Sequence, residues 1–391
     1  MRDRGSQCTR THCRTNCNNN PNNSALMQDQ VFPVSLEEKI KAEADRLGFP
    51  VCGICKPDPP VHYKAYLDWL GDGCHAGMHY MAEPKTKQFR SDPHLLLPGC
   101  QSIISLATPY PYPAEKKVHK RNHGTIASYA LGKDYHMVIT QRLNQLVEFI
   151  NAQADAPVNT RICVDTSPIL EKDYAQSAGL GWIGRNSLLI IPKFGSFFFL
   201  GEILLDLNLE ADIPTTRDGC GDCTRCIDAC PTHAINPDRS IDARLCLSYL
   251  TIEYHGTIPQ EMRKPFDNRI FGCDTCQQVC PHNRHARLLP GIKEIMQPVF
   301  NPHPSLFDEL MLNEQQFTEK YHGTSVSRAK YYGYMRNLMI AIGNAGSPSC
   351  LPALDKFFER MSYELLEHKI SGAVYQDFYE LSQWVQDNCK W

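Results

Sequence analysis

Long apolar runs are missing from this sequence of 391 residues. The best candidate, Ser187 to Leu207, is interrupted by Pro192, Lys193, Glu202 and Asp206 and by two glycines. A spanning helix needs about 20 apolar residues with almost no charge. The segment instead predicts two buried strands joined by the turn Pro192-Lys193-Phe194-Gly195, and no membrane partner is expected. Met1 to Asn23 also lacks an apolar stretch, being polar and rich in Asn, Arg and Thr. A secretory signal is therefore not expected, and the reading is a soluble, cytoplasmic protein. Charge of one sign is lacking too: 40 Lys and Arg face 43 Asp and Glu, a net of −3. A polyanionic partner would have to meet a local basic patch. No internal repeat is clear in the C-terminal part, so a solenoid there rests on analogy alone.

Cysteine is what the chain has in excess, with 18 residues. In a reducing compartment that number points to metal-binding thiolates rather than disulfides. Cys8, Cys13 and Cys17 fall in the tail 1–34, which is too polar to build a core, and they are given no role. From Ser35 a mixture of helices and strands is expected up to about Asn208, an α+β domain over 35–210. Helices are predicted after Ser35, at Tyr63–Leu70, Met137–Ala152 and Glu171–Ala178. Strands are predicted at Val51–Cys55, Ser102–Ala107 and Arg161–Asp165. Residues 211–290 shift to Cys, Asp and Pro. Residues 291–391 read as helices, at Phe307–Leu312, Glu314–Tyr321, Tyr331–Ile342, Cys350–Met361 and Gln376–Cys389.

Eight cysteines lie between Cys220 and Cys280. Cys220-x2-Cys223-x2-Cys226-x3-Cys230-Pro231 is the bacterial ferredoxin run, whose fourth cysteine ligates the other cluster of a pair. The second run, Cys273-x2-Cys276-x3-Cys280-Pro281, lacks one ligand, and Cys246 lies between the runs to supply it. The assignment is two [4Fe–4S] clusters, one on Cys220, Cys223, Cys226 and Cys280, the other on Cys230, Cys246, Cys273 and Cys276. Four-cysteine zinc sites also use C-x2-C pairs, but zinc does not explain two Cys-Pro endings or an interlocked count of eight. Two such clusters lie close enough for electron transfer, so the chemistry sits elsewhere.

Three other motifs are weaker. Gly179-x-Gly181-x-x-Gly184 matches a dinucleotide fingerprint, but a helix precedes it and a strand follows, the reverse of what that fingerprint needs. Cys52 and Cys55 fall on one predicted strand and face opposite sides, so they read as small core residues, as does Cys163. Asp134-x-His136 begins a D-x-H-x-x-G motif that brings histidine to cobalt in some proteins. Ile139 stands where the glycine belongs, and that role is rejected.

Val164-Asp165-Thr-Ser-Pro-Ile-Leu-Glu-Lys, then Ala-Gly-Leu-Gly-Trp-Ile-Gly-Arg-Asn-Ser, resemble the epoxyqueuosine reductase family. So do Cys246-Leu-Ser-Tyr-Leu-Thr-Ile-Glu253, Phe271-Gly-Cys-Asp-Thr-Cys-Gln-Gln-Val-Cys-Pro281, and Arg336-Asn337 with Gly343-Asn344. The resemblance starts at about Ser35 and implies reduction of epoxyqueuosine to queuosine at the wobble position of tRNA, the last step of queuosine biosynthesis. It implies cobalamin beside the two clusters, an external low-potential electron donor and a monomer. It further implies a nitroreductase-like N-terminal cobalamin-binding domain, a ferredoxin-like domain and a HEAT-like, tRNA-binding helical region. Asp165 matches the proton donor, and burial beside the corrin is expected to raise its pKa. Cobalamin contacts are expected at Arg90, Tyr129, Asp165, Arg185, Asn186, Ser248, Asp274 and Thr275. Glu253 is left between a site role and a surface role. For tRNA, two basic groups are candidates: Lys116, Lys117, His119, Lys120, Arg121 and His123, and Arg328, Lys330 and Arg336 among Tyr331, Tyr332 and Tyr334. The same tyrosines could instead pack a helix pair. Three rivals are weaker. A reductive dehalogenase would carry a twin-arginine signal and a tyrosine acid. A plain electron carrier has no need of so large an α+β domain, and the third is a flavin reductase with a ferredoxin module.

Overall fold

The spacing of Leu36, Ile40, Ala44 and Leu47 builds the first element, the helix Leu36–Arg46, which buries Ile40 and Ala44. Gly48 ends it at φ +96°, and a Cβ there would meet Ile292 at 2.8 Å, so glycine serves both the turn and the close approach. The computed structural model describes residues 34–111, 121–284 and 288–389. Cys8, Cys13, Cys17, Lys116, Lys117, His119 and Lys120 lie outside them.

A four-stranded antiparallel sheet forms the N-terminal half, in the order Val51–Cys55, Ser102–Pro109, Phe198–Leu205, Thr160–Cys163. Register aligns Ile54, Ile104, Ile203 and Ile162 across it. That row packs against the helices Leu36–Arg46 and Tyr135–Gln153. On the opposite face Cys55, Ile103, Leu204 and Cys163 pack with Tyr174 and Ala175 of the helix Glu171–Ser177. Cys52 and Cys55 do point to opposite faces, as their strand spacing requires. The expected strands flanking Pro192–Gly195 are present, but they join different sheets. Leu189–Ile190 pairs with Trp182–Ile183, whereas Phe198–Leu205 runs through the centre of the main sheet. An apolar strand buried on both faces gains more from two neighbours than from one hairpin partner.

The segment carrying the cysteines is tied to the rest by the parallel pairing of Thr125–Ile126 with Arg269–Phe271. A single apolar core then crosses residue 290, from Phe266, Ile270 and Phe271 to Tyr334 and Leu338. The helix Lys330–Ala345 is its axis and is buried on nearly all sides. This corrects the expectation of an RNA-facing role for Tyr331, Tyr334 and Arg336, while Lys330 stays exposed. Tyr331, Tyr334 and Arg336 are buried, while Arg121 donates to the carbonyls of Ala345 and Gly346 at 2.8 and 2.9 Å and so caps this helix. No helix among the described residues is long and apolar enough to cross a membrane.

Candidate active site and cysteine loops

Asp165 follows the last residues of the strand Thr160–Cys163 and sits at φ +51°. That left-handed conformation is costly for a side-chain-bearing residue and needs support from its surroundings. Glu171 supplies it by accepting the Asp165 N–H at 2.5 Å. The carboxylate faces the start of the helix Tyr135–Gln153. Its Oδ2 accepts from the Tyr135 hydroxyl at 2.9 Å and lies 2.7 Å from His136 Nε2. Asp134, the N-cap, holds the other ring nitrogen of His136 at 2.8 Å. Arg328 Nη2, which can only donate, lies 3.0 Å from Nδ1 and 2.8 Å from Nε2 of the same ring, so two carboxylates and a guanidinium compete for the imidazole nitrogens.

Charges follow from this packing. Burial pulls the His136 pKa down, but the hydrogen bonds to Asp134 and Asp165 outweigh it and the value is raised. Partial burial pushes Asp165 up, but His136, Tyr135 and Arg328 outweigh that and hold it below the usual carboxylate range. In the protein alone a cation in contact decides the sign; the expected rise concerned burial beside the corrin. Burial and the nearby Asp165 charge push Glu171 up to about 7. Behind it Glu202 is fully buried and its carboxyl is pushed well up by burial and by Glu171.

Asp165 opens onto a cavity of about 260 Å³ lined also by Tyr129, Ser248, Tyr249, Glu253 and Arg328. Of the expected cofactor contacts, Tyr129, Asp165 and Ser248 therefore come together, and Glu253 joins them. Asp274 is buried and accepts from Ser128 N–H and Oγ, both at 2.8 Å, which anchors the neighbour of Tyr129. The Thr275 hydroxyl accepts from Arg269 at 2.9 Å and lies 3.3 Å from Cys273 Sγ. Arg90 stacks over Tyr66, and its buried Nε has no hydrogen-bond partner among the described residues. Arg185 and Asn186 line a different cavity. His136, Tyr135, Arg328 and Glu171 were not anticipated in the site. The Asp134-x-His136 motif is the signal the sequence carries for them.

None of the eight cysteines is in a disulfide. Cys280 is raised by burial and by its neighbours Cys220 and Cys223, and Cys226 by burial, Cys220 and Cys280. Cys246 is raised by burial, Cys273 and Cys230, and Cys276 by burial, Cys273 and Cys246. Most of these neighbours lie within one of the two expected sets, but Cys226 of the first set also raises Cys276 of the second. Cys220, Cys223, Cys226 and Cys280 surround a cavity of about 50 Å³. Thiols spread around a volume suit a cubane, whose irons also relieve the mutual repulsion by taking up thiolate charge.

Residues 90–166 match the family described as "Epoxyqueuosine reductase QueG, DUF1730", and residues 219–283 match the "4Fe-4S double cluster binding domain". An epoxyqueuosine reductase of Pseudomonas aeruginosa is 40% identical over 349 residues, covering 88% of this chain and 94% of that one. The chain belongs to the epoxyqueuosine reductase family. Two solved epoxyqueuosine reductases have its fold at a TM-score of 0.73 and 26% identity. One is bound to an epoxyqueuosine-modified tRNA-Tyr stem loop and covers 90% of this chain and 99% of its own. The other, from Bacillus subtilis, covers 90% and 98% and has its catalytic aspartate loop swung out of the active site. Epoxyqueuosine reductases are oxidoreductases that convert the epoxide of epoxyqueuosine to the alkene of queuosine. The double-cluster segment supplies [4Fe–4S] centres for that redox chemistry.

Proposed function

We propose that the Asp165–His136 pair is the acid of this reduction and that tRNA carrying epoxyqueuosine in its anticodon loop presents the epoxide to the Asp165 cavity. The observation that carries the reading is the cavity itself. It brings Asp165 and Arg328 within one space with Ser248, two residues from Cys246. Loss of the epoxide oxygen consumes two electrons and two protons and releases water, leaving the alkene. The eight cysteines, in the two sets given above, hold the clusters that deliver the electrons singly from an external low-potential donor.

Cobalamin is implied by the family, and the open cavity with its Tyr129 wall and Ser248 hydroxyl suits a flat ring with polar edges. When bound it supplies a strongly reducing cobalt centre. Tyr129, Ser248 and Asp165 would contact it first. Arg90, Asp274 and Thr275 are further contacts supported by resemblance, whereas Arg185 and Asn186, expected there too, line the cavity of the first cysteine group instead. The protein's own task is the proton. His136 keeps a proton on Nε2 directed at Asp165 Oδ2, and transfer across that contact recharges the carboxyl as it protonates the departing oxygen. Arg328 Nη1, 3.8 Å from the same oxygen, stabilises negative charge developing there.

The division into 35–210, 211–290 and 291–391, with nitroreductase-like, ferredoxin-like and HEAT-like character, is supported by the element order, although one apolar core spans the last two, and a monomer belongs to the same reading. The test is anaerobic turnover of epoxyqueuosine-containing tRNA with a low-potential reductant. Conversion to queuosine by the wild type is expected, and its absence in enzyme loaded with clusters and cobalamin would refute the reading.

A further inference from the structure

The turn after Gly184 aims two side chains at the first cysteine group. Asn186 is 2% exposed. Its Oδ1 accepts from Leu188 N–H at 3.4 Å, while Nδ2 is buried with no hydrogen-bond partner among the described residues. Arg185 donates through Nη2 to the Gly221 carbonyl at 2.9 Å, in the loop between Cys220 and Cys223. Its Nε is buried and likewise unpartnered. Both residues line the cavity that Cys220, Cys223, Cys226 and Cys280 surround. An orphaned buried donor is destabilising, and native sites normally provide an acceptor. The acceptors this cavity is built to hold are sulfur atoms.

We propose that Asn186 Nδ2, assisted by Arg185 Nε, donates to the sulfurs of the cluster on Cys220, Cys223, Cys226 and Cys280 and raises its reduction potential. Reduction adds negative charge to the cluster, and N–H donors aimed at its sulfurs favour the reduced form. Asn186 is thus a tuning residue for electron delivery. The proposal rests on the ligand assignment given above.

Asn186→Leu removes the donor without adding charge. Potentiometric titration followed by electron paramagnetic resonance on the iron-loaded enzyme reads each cluster separately. The expected result is about a tenfold shift of this cluster's equilibrium toward the oxidised form, about 59 mV for one electron, with the other cluster unmoved. An unmoved first cluster, or equal shifts of both, overturns the proposal. A second measurement needs no variant. In wild-type enzyme grown on isotope-labelled asparagine, pulsed resonance should show nitrogen coupled to the reduced first cluster, and no coupling overturns the proposal. Failure of the ligand assignment reads differently, as a Cys220→Ser enzyme that keeps the first cluster.

Discussion

His136 Nε2 lies 2.7 Å from Asp165 Oδ2, and Asp134 holds the ring from its other side at 2.8 Å. Folding raises His136 above its ordinary 6.5 and lowers Asp165 below its ordinary 3.8. The His136 contribution is therefore complete below pH 6.5 and fades as pH rises through the raised value. The Asp165 contribution is present above pH 3.8 and fades as pH falls through the lowered value. The pair thus stabilises most between those two limits. Asp165 is 46% exposed, so solvent screening keeps the gain to about 1 kcal/mol. His136→Gln should lose that margin at pH 5.5 and little at pH 9, measured by thermal unfolding. Its turnover should fall about a hundredfold with iron content unchanged.

Glu171 braces the strained Asp165 backbone. Its pKa is raised from 4.5 to about 7, so the fold disfavours its ionisation. Stability then declines as pH climbs from 4.5 toward 7, by at most about 1.4 kcal/mol per pH unit, and is flat above. Glu171→Gln should flatten that slope and be the more stable form at pH 8. Glu171→Ala, which gives up the brace on Asp165, should lower kcat about tenfold to a hundredfold. A slope unchanged in Glu171→Gln would contradict the assignment.

Crossed ligation makes a sharp prediction for the cysteines. Cys230 belongs to the first run in sequence but neighbours Cys246 in space. Cys230→Ser should damage the cluster of the second run, and Cys280→Ser the cluster of the first. Iron analysis with resonance spectra of each variant decides it, and the opposite pairing would refute the crossing.

Cysteine spacing was legible because a cluster loop is local: three ligands sit within seven residues. The helices Leu36–Arg46 and Glu314–Tyr321 were legible from caps and periodicity. The partners of Asp165 were not, because His136, Glu171 and Arg328 reach it through tertiary packing. Glu171 looked like an ordinary acidic residue in a helix first turn. Arg328 reads in the sequence as one of a basic group for tRNA beside tyrosines. The helix Lys330–Ala345 misled for a related reason. Buried on nearly every side, it has no polar stripe to separate inward from outward positions.

Arg336 gives a direct check of that burial. It donates at 2.7 Å to each of the carbonyls of Leu250, Tyr254 and Gly256, and burial lowers its pKa to about 10. Arg336→Ala strands three acceptors and should cost about 3 kcal/mol, with Arg336→Lys intermediate. The salt dependence of tRNA binding should not change in the lysine variant, since a buried guanidinium contacts no phosphate. A reduced slope would restore Arg336 to the RNA surface.

The most direct test of the central claim replaces Asp165 by Asn in enzyme loaded with both clusters and cobalamin. Anaerobic turnover on epoxyqueuosine-containing tRNA should fall at least about a hundredfold while iron content, cluster spectra and cobalamin binding stay at wild-type levels. Turnover at the wild-type rate would contradict the account.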